Sequence, residues 1–230
     1  MKRLYDKFVD FWNTDRSLSA ILISLILCIM VVPSFTAADV PQKMLIDILL
    51  TLSLLAGIRI IYQDRTKIVI FTSFVMLSVL IRMVSYFTYG QFVTILRNLA
   101  NIISFVILAV VLLFRIFRQG PITWERIQGA IAVYLLLGLI WASLYELLET
   151  LLPGSIVNIS STAGRNTLIS NAIYFSFVTL TTVGYGDFIP IHNVARSFAI
   201  LEALTGQLFL AILIARLVSM RSESSNSRQS

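Results

Sequence analysis

The stretch Thr179-Leu180-Thr181-Thr182-Val183-Gly184-Tyr185-Gly186-Asp187 holds the residue types with the most specific chemistry in the chain. A dehydrated cation needs an oxygen cage equivalent to its lost water shell. Backbone carbonyls supply one when successive carbonyls face the same side. That requires a backbone alternating between ordinary and left-handed conformations, which Gly184 and Gly186 adopt without a Cβ penalty. Val183 and Tyr185 then point away from the ion path and pack behind it, and the Thr182 hydroxyl adds an oxygen layer at its inner end. Such a backbone cannot face lipid, so it must line a filled path and be buried in protein elsewhere.

The elements that position this run must therefore cross a membrane. The chain is 57% hydrophobic and only 13% charged, with a mean hydropathy of +0.86; a soluble domain carries about twice that charged share. The net charge of +6 then marks a cytoplasmic side rather than a nucleic-acid partner. Cys28 is the only cysteine and sits in an apolar run, which leaves neither a disulfide framework nor a metal pattern. The first apolar run is followed by others, unlike a cleaved signal peptide.

The apolar runs predict an all-α membrane protein with six transmembrane helices plus a re-entrant pore helix and filter loop. Residues 1–17 form a cytoplasmic or interfacial segment, where Tyr5, Phe8, Val9 and Trp12 recur at helical spacing. Spans follow at about 18–35, 44–62, 68–87 and 92–117, each long enough to cross the hydrocarbon. The loop Thr36 to Pro41 and the polar turn Gln63 to Lys67 separate the first three spans, and Gly120-Pro121 ends the fourth. A four-helix domain thus covers 18–118. A pore domain covers 119–220, with its outer helix at 127–148, a polar extracellular stretch from Glu149 to Asn166, a short helix at 167–180 and a last span at 195–220. Residues 221–230 read as a disordered cytoplasmic tail. Lys2, Arg3, Lys7, Arg16, Arg65, Lys67, Arg115, Arg118, Arg126, Arg216, Arg221 and Arg228 fall on the side of the termini, against Lys43, Arg165 and Arg196. Both termini are therefore expected in the cytoplasm of a multi-pass plasma (inner) membrane protein.

The run Thr181 to Asp187, preceded by a half-length helix and followed by a long apolar one, resembles the selectivity filter of bacterial-type potassium channels. The resemblance extends from about Pro153 to Val218. It implies a passive potassium-selective channel, with potassium held at Thr182, Val183, Gly184, Tyr185 and Gly186. It also implies that Asn166 or Thr167 starts the pore helix, whose C-terminus turns partial negative charge toward a central cavity. Tyr174 and Phe175 stand where many relatives have two tryptophans, and would pack on Tyr185. Asp187 would sit above the filter within reach of the Tyr174 hydroxyl, while Thr181 and Val178 support it from behind. Val178 stands where some bacterial relatives carry a glutamate. Gly206 falls where the family often has a hinge glycine, and equally suits close helix packing. Ala211 and Ala215 are small enough to let inner helices cross, which makes them candidate gate residues. Glu202, an acid inside a span, needs a partner: neighbouring backbone or Thr181 is expected, with a cation-attracting site as the other reading. Glu146 or Glu149 would tie the outer helix to the loop beyond the filter.

The chain holds one filter and a filter needs four loops, so a homotetramer is expected. No cofactor is expected beyond the permeant potassium, and no nucleic acid. Lipid surrounds the assembly, and the short tail leaves room for a separate regulatory subunit. The first four spans resemble a voltage sensor in number and order, but the fourth carries Arg97 and then no charge from Asn98 to Phe114. Asp47, Arg82 and Arg97 lie at similar depth below the outer ends of three spans, which predicts an intramembrane charge cluster; snorkelling of both arginines is the alternative. Weak voltage dependence follows. Two other readings are a pore-forming subunit of a potassium uptake system and a less selective cation channel. An enzyme is not expected, since His192 is the only histidine and no catalytic, metal or phosphate-loop pattern is present.

Overall fold

The computed structural model describes residues 14–31, 39–60, 65–88, 90–117, 123–159 and 168–226. The described residues form α1 (Thr14–Val31), α2 (Asp39–Ile60), α3 (Arg65–Phe87), α4 (Gln91–Ile116), α5 (Trp124–Leu151), β1 (Ile156–Asn158), α6 (Leu168–Leu180), β2 (Phe188–Pro190) and α7 (Asn193–Asn226). Among the described residues, three segments are long and apolar enough to cross a membrane, Gln91–Phe114, Arg126–Leu151 and Asn193–Arg216. Leu18–Met30, Met44–Gly57, Phe71–Phe87 and Leu168–Leu180 are shorter apolar helices. The chain is an integral membrane protein.

Several boundaries differ from the sequence expectation. Helix α2 begins at Asp39 and takes in Pro41, because the first helical turn has no intrahelical use for the N–H that proline lacks. Helix α3 starts at Arg65, so Arg65 to Lys67 are helical rather than turn. Helix α7 continues through Asn226, past the expected end at 220, since each residue added to an existing helix gains a hydrogen bond without a new nucleus. The expected interfacial helix at Tyr5 to Trp12, the end of the first span beyond Val31, and Asn166 and Thr167 lie outside the described residues.

Helix α5 is the hub, packing on α1, α4, α6 and α7. Its buried Ala132, Val133, Leu136, Leu139 and Tyr145 meet Leu108 and Leu112 of α4 and Ile21 and Leu25 of α1 in one continuous core. Apolar burial drives little of this association in lipid, so small residues and hydrogen bonds take over. Ser24 and Ser53 bond at 2.6 Å between α1 and α2, and Ser19 donates to Gln128 at 2.8 Å between α1 and α5. Large apolar side chains such as Met30, Met76, Leu80 and Ile200 stay exposed, as a lipid-facing surface requires.

Between α5 and α7, β1 and β2 pair antiparallel in the register Ile156↔Pro190, Val157↔Ile189 and Asn158↔Phe188. This ladder ties the loop after α5 to the segment that follows Asp187.

Candidate functional site

Helix α6 ends at Leu180, and the chain does not relax into an ordinary turn. The Val183 and Gly184 amides both donate to the Val178 carbonyl, at 3.0 and 3.2 Å, and the Thr182 amide donates to Thr179 at 2.9 Å. Left-handed φ angles then occur at every second residue: +59° at Thr182, +55° at Gly184 and +80° at Gly186. Alternation of this kind turns successive carbonyls to one side. The sequence marked the two glycines for this conformation and Thr182 only for its hydroxyl; the branched Cβ of Thr182 opposes a left-handed φ by about 1–2 kcal/mol. Backbone held in such a region by its surroundings is typical of functional sites.

The flanks are built from both ends. The Asp187 carbonyl accepts from the Ile159 amide at 2.8 Å, and the Ser155 carbonyl accepts from Ile191 at 2.9 Å. Glu149, at the end of α5, accepts from the Gly154, Ser155 and Ile156 amides at 2.6, 3.0 and 3.3 Å. Glu149, one of the two acids considered for tying the outer helix to this region, makes such a tie through β1. The Tyr174 hydroxyl lies beside Asp187. His192 is exposed; its Nδ1 accepts from the Val194 amide at 3.3 Å and caps the start of α7.

The aromatic arrangement differs from expectation. The ring partner of Tyr174 is Phe188, at 5.6 Å, and that of Phe175 is Tyr145 on α5, edge-on at 4.8 Å. Tyr185 remains 72% exposed and Val183 53%. Position 175 faces the outer helix because α6 is wedged between α5 and α7, so no cuff closes around Tyr185 within one chain.

On α7, Gly206 is buried where the helix crosses the end of α6. A Cβ there would lie 2.4 Å from the Leu180 carbonyl oxygen. Of the two readings of Gly206, close packing has a direct geometric cause. Ala211 and Ala215 are both exposed on the same helix. Gln207, which sequence reasoning missed, donates to the Thr182 hydroxyl at 3.5 Å. Glu202 is fully buried and bonds Tyr145 and Ser176; the expected backbone or Thr181 partner is replaced, since Thr181 donates to the Phe177 carbonyl.

The second cluster joins α2, α3 and α4. Asp47 lies 3.7 Å from Arg82 and 3.4 Å from Arg97, and it accepts from the Tyr86 hydroxyl at 2.7 Å. Arg82 also reaches Asn101 at 3.0 Å, Thr51 at 3.3 Å and Ser104 at 3.4 Å. Arg82 is 2% exposed and Arg97 7%, so neither snorkels. Sequence depth located the three charges; Tyr86, Thr51, Asn101 and Ser104 gave no comparable signal, because only helix rotation brings them inward.

Residues 130–223 match a family profile described as an ion channel. Two pore potassium channel c of Oryza sativa subsp. japonica is 43% identical over 68 residues, which are 30% of this chain and 14% of that protein. Protein LctB of Bacillus caldotenax is 42% identical over 59 residues, 26% of this chain and 43% of that protein. Two-pore potassium channel 4 of Arabidopsis thaliana is 44% identical over 52 residues, 23% of this chain and 18% of that protein. The matched stretches thus span less than half the length of each of these relatives. No solved structure matches.

Proposed function

We propose that four copies of this chain form a passive potassium-selective channel, with residues 182–186 of each copy lining one axial path. The observation that carries this reading is the period-two left-handed backbone at Thr182, Gly184 and Gly186 within a Thr-Val-Gly-Tyr-Gly run. Carbonyls on one side of that strand can replace the hydration shell of potassium, with the Thr182 hydroxyl at the inner end. The ion-channel profile spans the same region, and two of the similar proteins are named as potassium channels.

Fourfold assembly is supported by what one chain leaves uncovered. In an apolar 18-residue stretch of Asn193–Arg216 only 11% of the residues are buried, against 50% in the corresponding stretches of Gln91–Phe114 and Arg126–Leu151. Strand carbonyls and Tyr185 on that open side cannot be left to lipid, and neighbouring copies are the cover that restores four loops around an axis. In this reading α1 to α5 and α7 span the plasma (inner) membrane, α6 is re-entrant, both termini are cytoplasmic, and Ala211 and Ala215 line the crossing of the inner helices. Purified protein in vesicles should give a reversal potential that follows potassium or rubidium and ignores sodium, from a species with the mass of four chains. Equal passage of sodium would leave the less selective reading, and an active one-chain or two-chain species would end the tetramer.

Weak voltage dependence belongs to the same proposal. One charge crossing a 100 mV field is worth about 2.3 kcal/mol, so Arg97 in four subunits could supply at most roughly 9 kcal/mol. Locked to Asp47, it moves through little of the field. Arg97→Gln is expected to leave a shallow conductance–voltage curve shallow while lowering tetramer yield, since breaking a buried pair costs about 3–5 kcal/mol. A steep parent curve flattened by the substitution at full yield would make Arg97 a sensor.

A further inference from the structure

Glu202 lies behind α6 in a chain of close oxygen contacts that can be counted proton by proton. The Tyr145 hydroxyl is 2.7 Å from Glu202 Oε2. Glu202 Oε1 is 2.5 Å from Ser176 Oγ, and Ser176 Oγ is 2.7 Å from the Gly138 carbonyl oxygen. Tyr145, Ser176 and Glu202 are each 0% exposed. Each of these contacts is a hydrogen-bond distance and needs one hydrogen between its oxygens. Tyr145 supplies one and Ser176 supplies one, while a carbonyl oxygen supplies none. The remaining hydrogen has one possible owner, the carboxyl of Glu202.

An ionised Glu202 would fail this count. The Ser176 hydroxyl could then donate to Glu202 or to Gly138 but not to both, leaving two bare oxygens facing each other at 2.5 or 2.7 Å. The partners of Glu202 are two neutral hydroxyls, Tyr145 and Ser176, while the buried Arg82 and Arg97 pair with Asp47. A buried carboxylate without a cation neutralises rather than remain charged. With the proton on Oε1 the order closes: Tyr145 donates to Glu202, Glu202 donates to Ser176, and Ser176 donates to Gly138. Chains of this kind strengthen one another in a low dielectric.

The chain joins the three helices that frame the strand. Tyr145 and Gly138 belong to α5, Ser176 to α6 and Glu202 to α7. Ser176 lies two residues before Val178, whose carbonyl holds the Val183 and Gly184 amides. We propose that Glu202 is a neutral, proton-carrying positioning residue that fixes α6 between α5 and α7 and so holds the conducting form of residues 182–186. The protonation rests on the hydrogen-bond count alone; the consequence for conduction rests on the channel reading above. Full burial and a donating role both exclude Glu202 as a cation-attracting site in the ion path.

The experiment uses the full chain reconstituted in lipid at neutral pH. The infrared difference spectrum between parent and Glu202→Gln should show a protonated-carboxyl band in the parent that the variant lacks; Asp47→Asn should leave that band in place. Absence of the band overturns the neutral acid, whether or not the protein conducts. Glutamine can accept from Tyr145 and donate to Ser176 in the same order, so potassium current per tetramer in Glu202→Gln should stay within about twofold of the parent, as conserved hydrogen bonds predict. Glu202→Ala, compared at equal tetramer amounts, should lose about tenfold or more. Equal loss in both variants overturns the positioning role. A parent that carries the band but passes no potassium would remove the channel reading and leave the proton assignment standing.

Discussion

Gly186→Ala is expected to abolish potassium-selective current. Gly186 sits at φ +80°, and a Cβ added there meets nothing within 4 Å in its own chain. The effect is therefore one of backbone conformation rather than of crowding inside the subunit. A left-handed L-residue costs about 1–2 kcal/mol, so four copies around one axis would add roughly 4–8 kcal/mol against the conducting geometry. Gly154 makes the matched control, with φ +81° and equally open space around its missing Cβ. Gly154→Ala carries the same local strain in the loop after α5 and should leave the potassium-to-sodium reversal potential unchanged. Both variants are compared by that potential in vesicles. Retained selectivity in Gly186→Ala, or its loss in both, would remove the carbonyl-cage assignment.

Gly206→Ala is expected to deplete assembled protein. The obstruction is a backbone atom, the Leu180 carbonyl oxygen at 2.4 Å, with Leu180 Cδ1 at 3.0 Å. A side chain could swing aside, but this carbonyl is fixed at the end of α6. Overpacking of this kind typically costs about 1–3 kcal/mol per site, and it recurs in every subunit. Tetramer yield and thermal stability should fall together with current. A hinge role without a packing role would give the opposite pattern, in which tetramer forms normally and only the open probability changes.

What the sequence made legible follows from how strongly each feature restricts residue type. Left-handed backbone selects glycine, so Gly184 and Gly186 stood out; Thr182 adopts the same region, but a threonine gives no sequence signal for that conformation. Long apolar runs exposed the helices, yet β1 and β2 are three residues each, too short to carry a pattern, and their pairing spans the whole of α6. Asp47, Arg82 and Arg97 were found by counting depth, since charge in a membrane is conspicuous. Tyr86 and Asn101 were not, because depth says nothing about which way a helix face turns. The partners of Glu202 were hidden for the same reason: Tyr145 and Ser176 lie 57 and 26 residues away, on other helices. The cuff expected around Tyr185 does not form within one chain, where Tyr174 and Phe175 meet Phe188 and Tyr145 instead.

The buried Asp47 site also bears on how the chain is made. Its three charges sit on successive helices, so during synthesis the acid emerges first, then Arg82, then Arg97. A charged residue near the centre of a lone inserting helix costs about 2.5–3.5 kcal/mol, and less toward the surface. Released into lipid singly, α2 and α3 would each carry a penalty that disappears only when their opposite charges meet. The favourable route is therefore delayed release, with α2 held at the insertion machinery until α3 and then α4 arrive and the three helices leave with Asp47 already paired to both arginines. Nascent chains truncated after α2 should crosslink from α2 to the insertion machinery, and chains truncated after α4 should not.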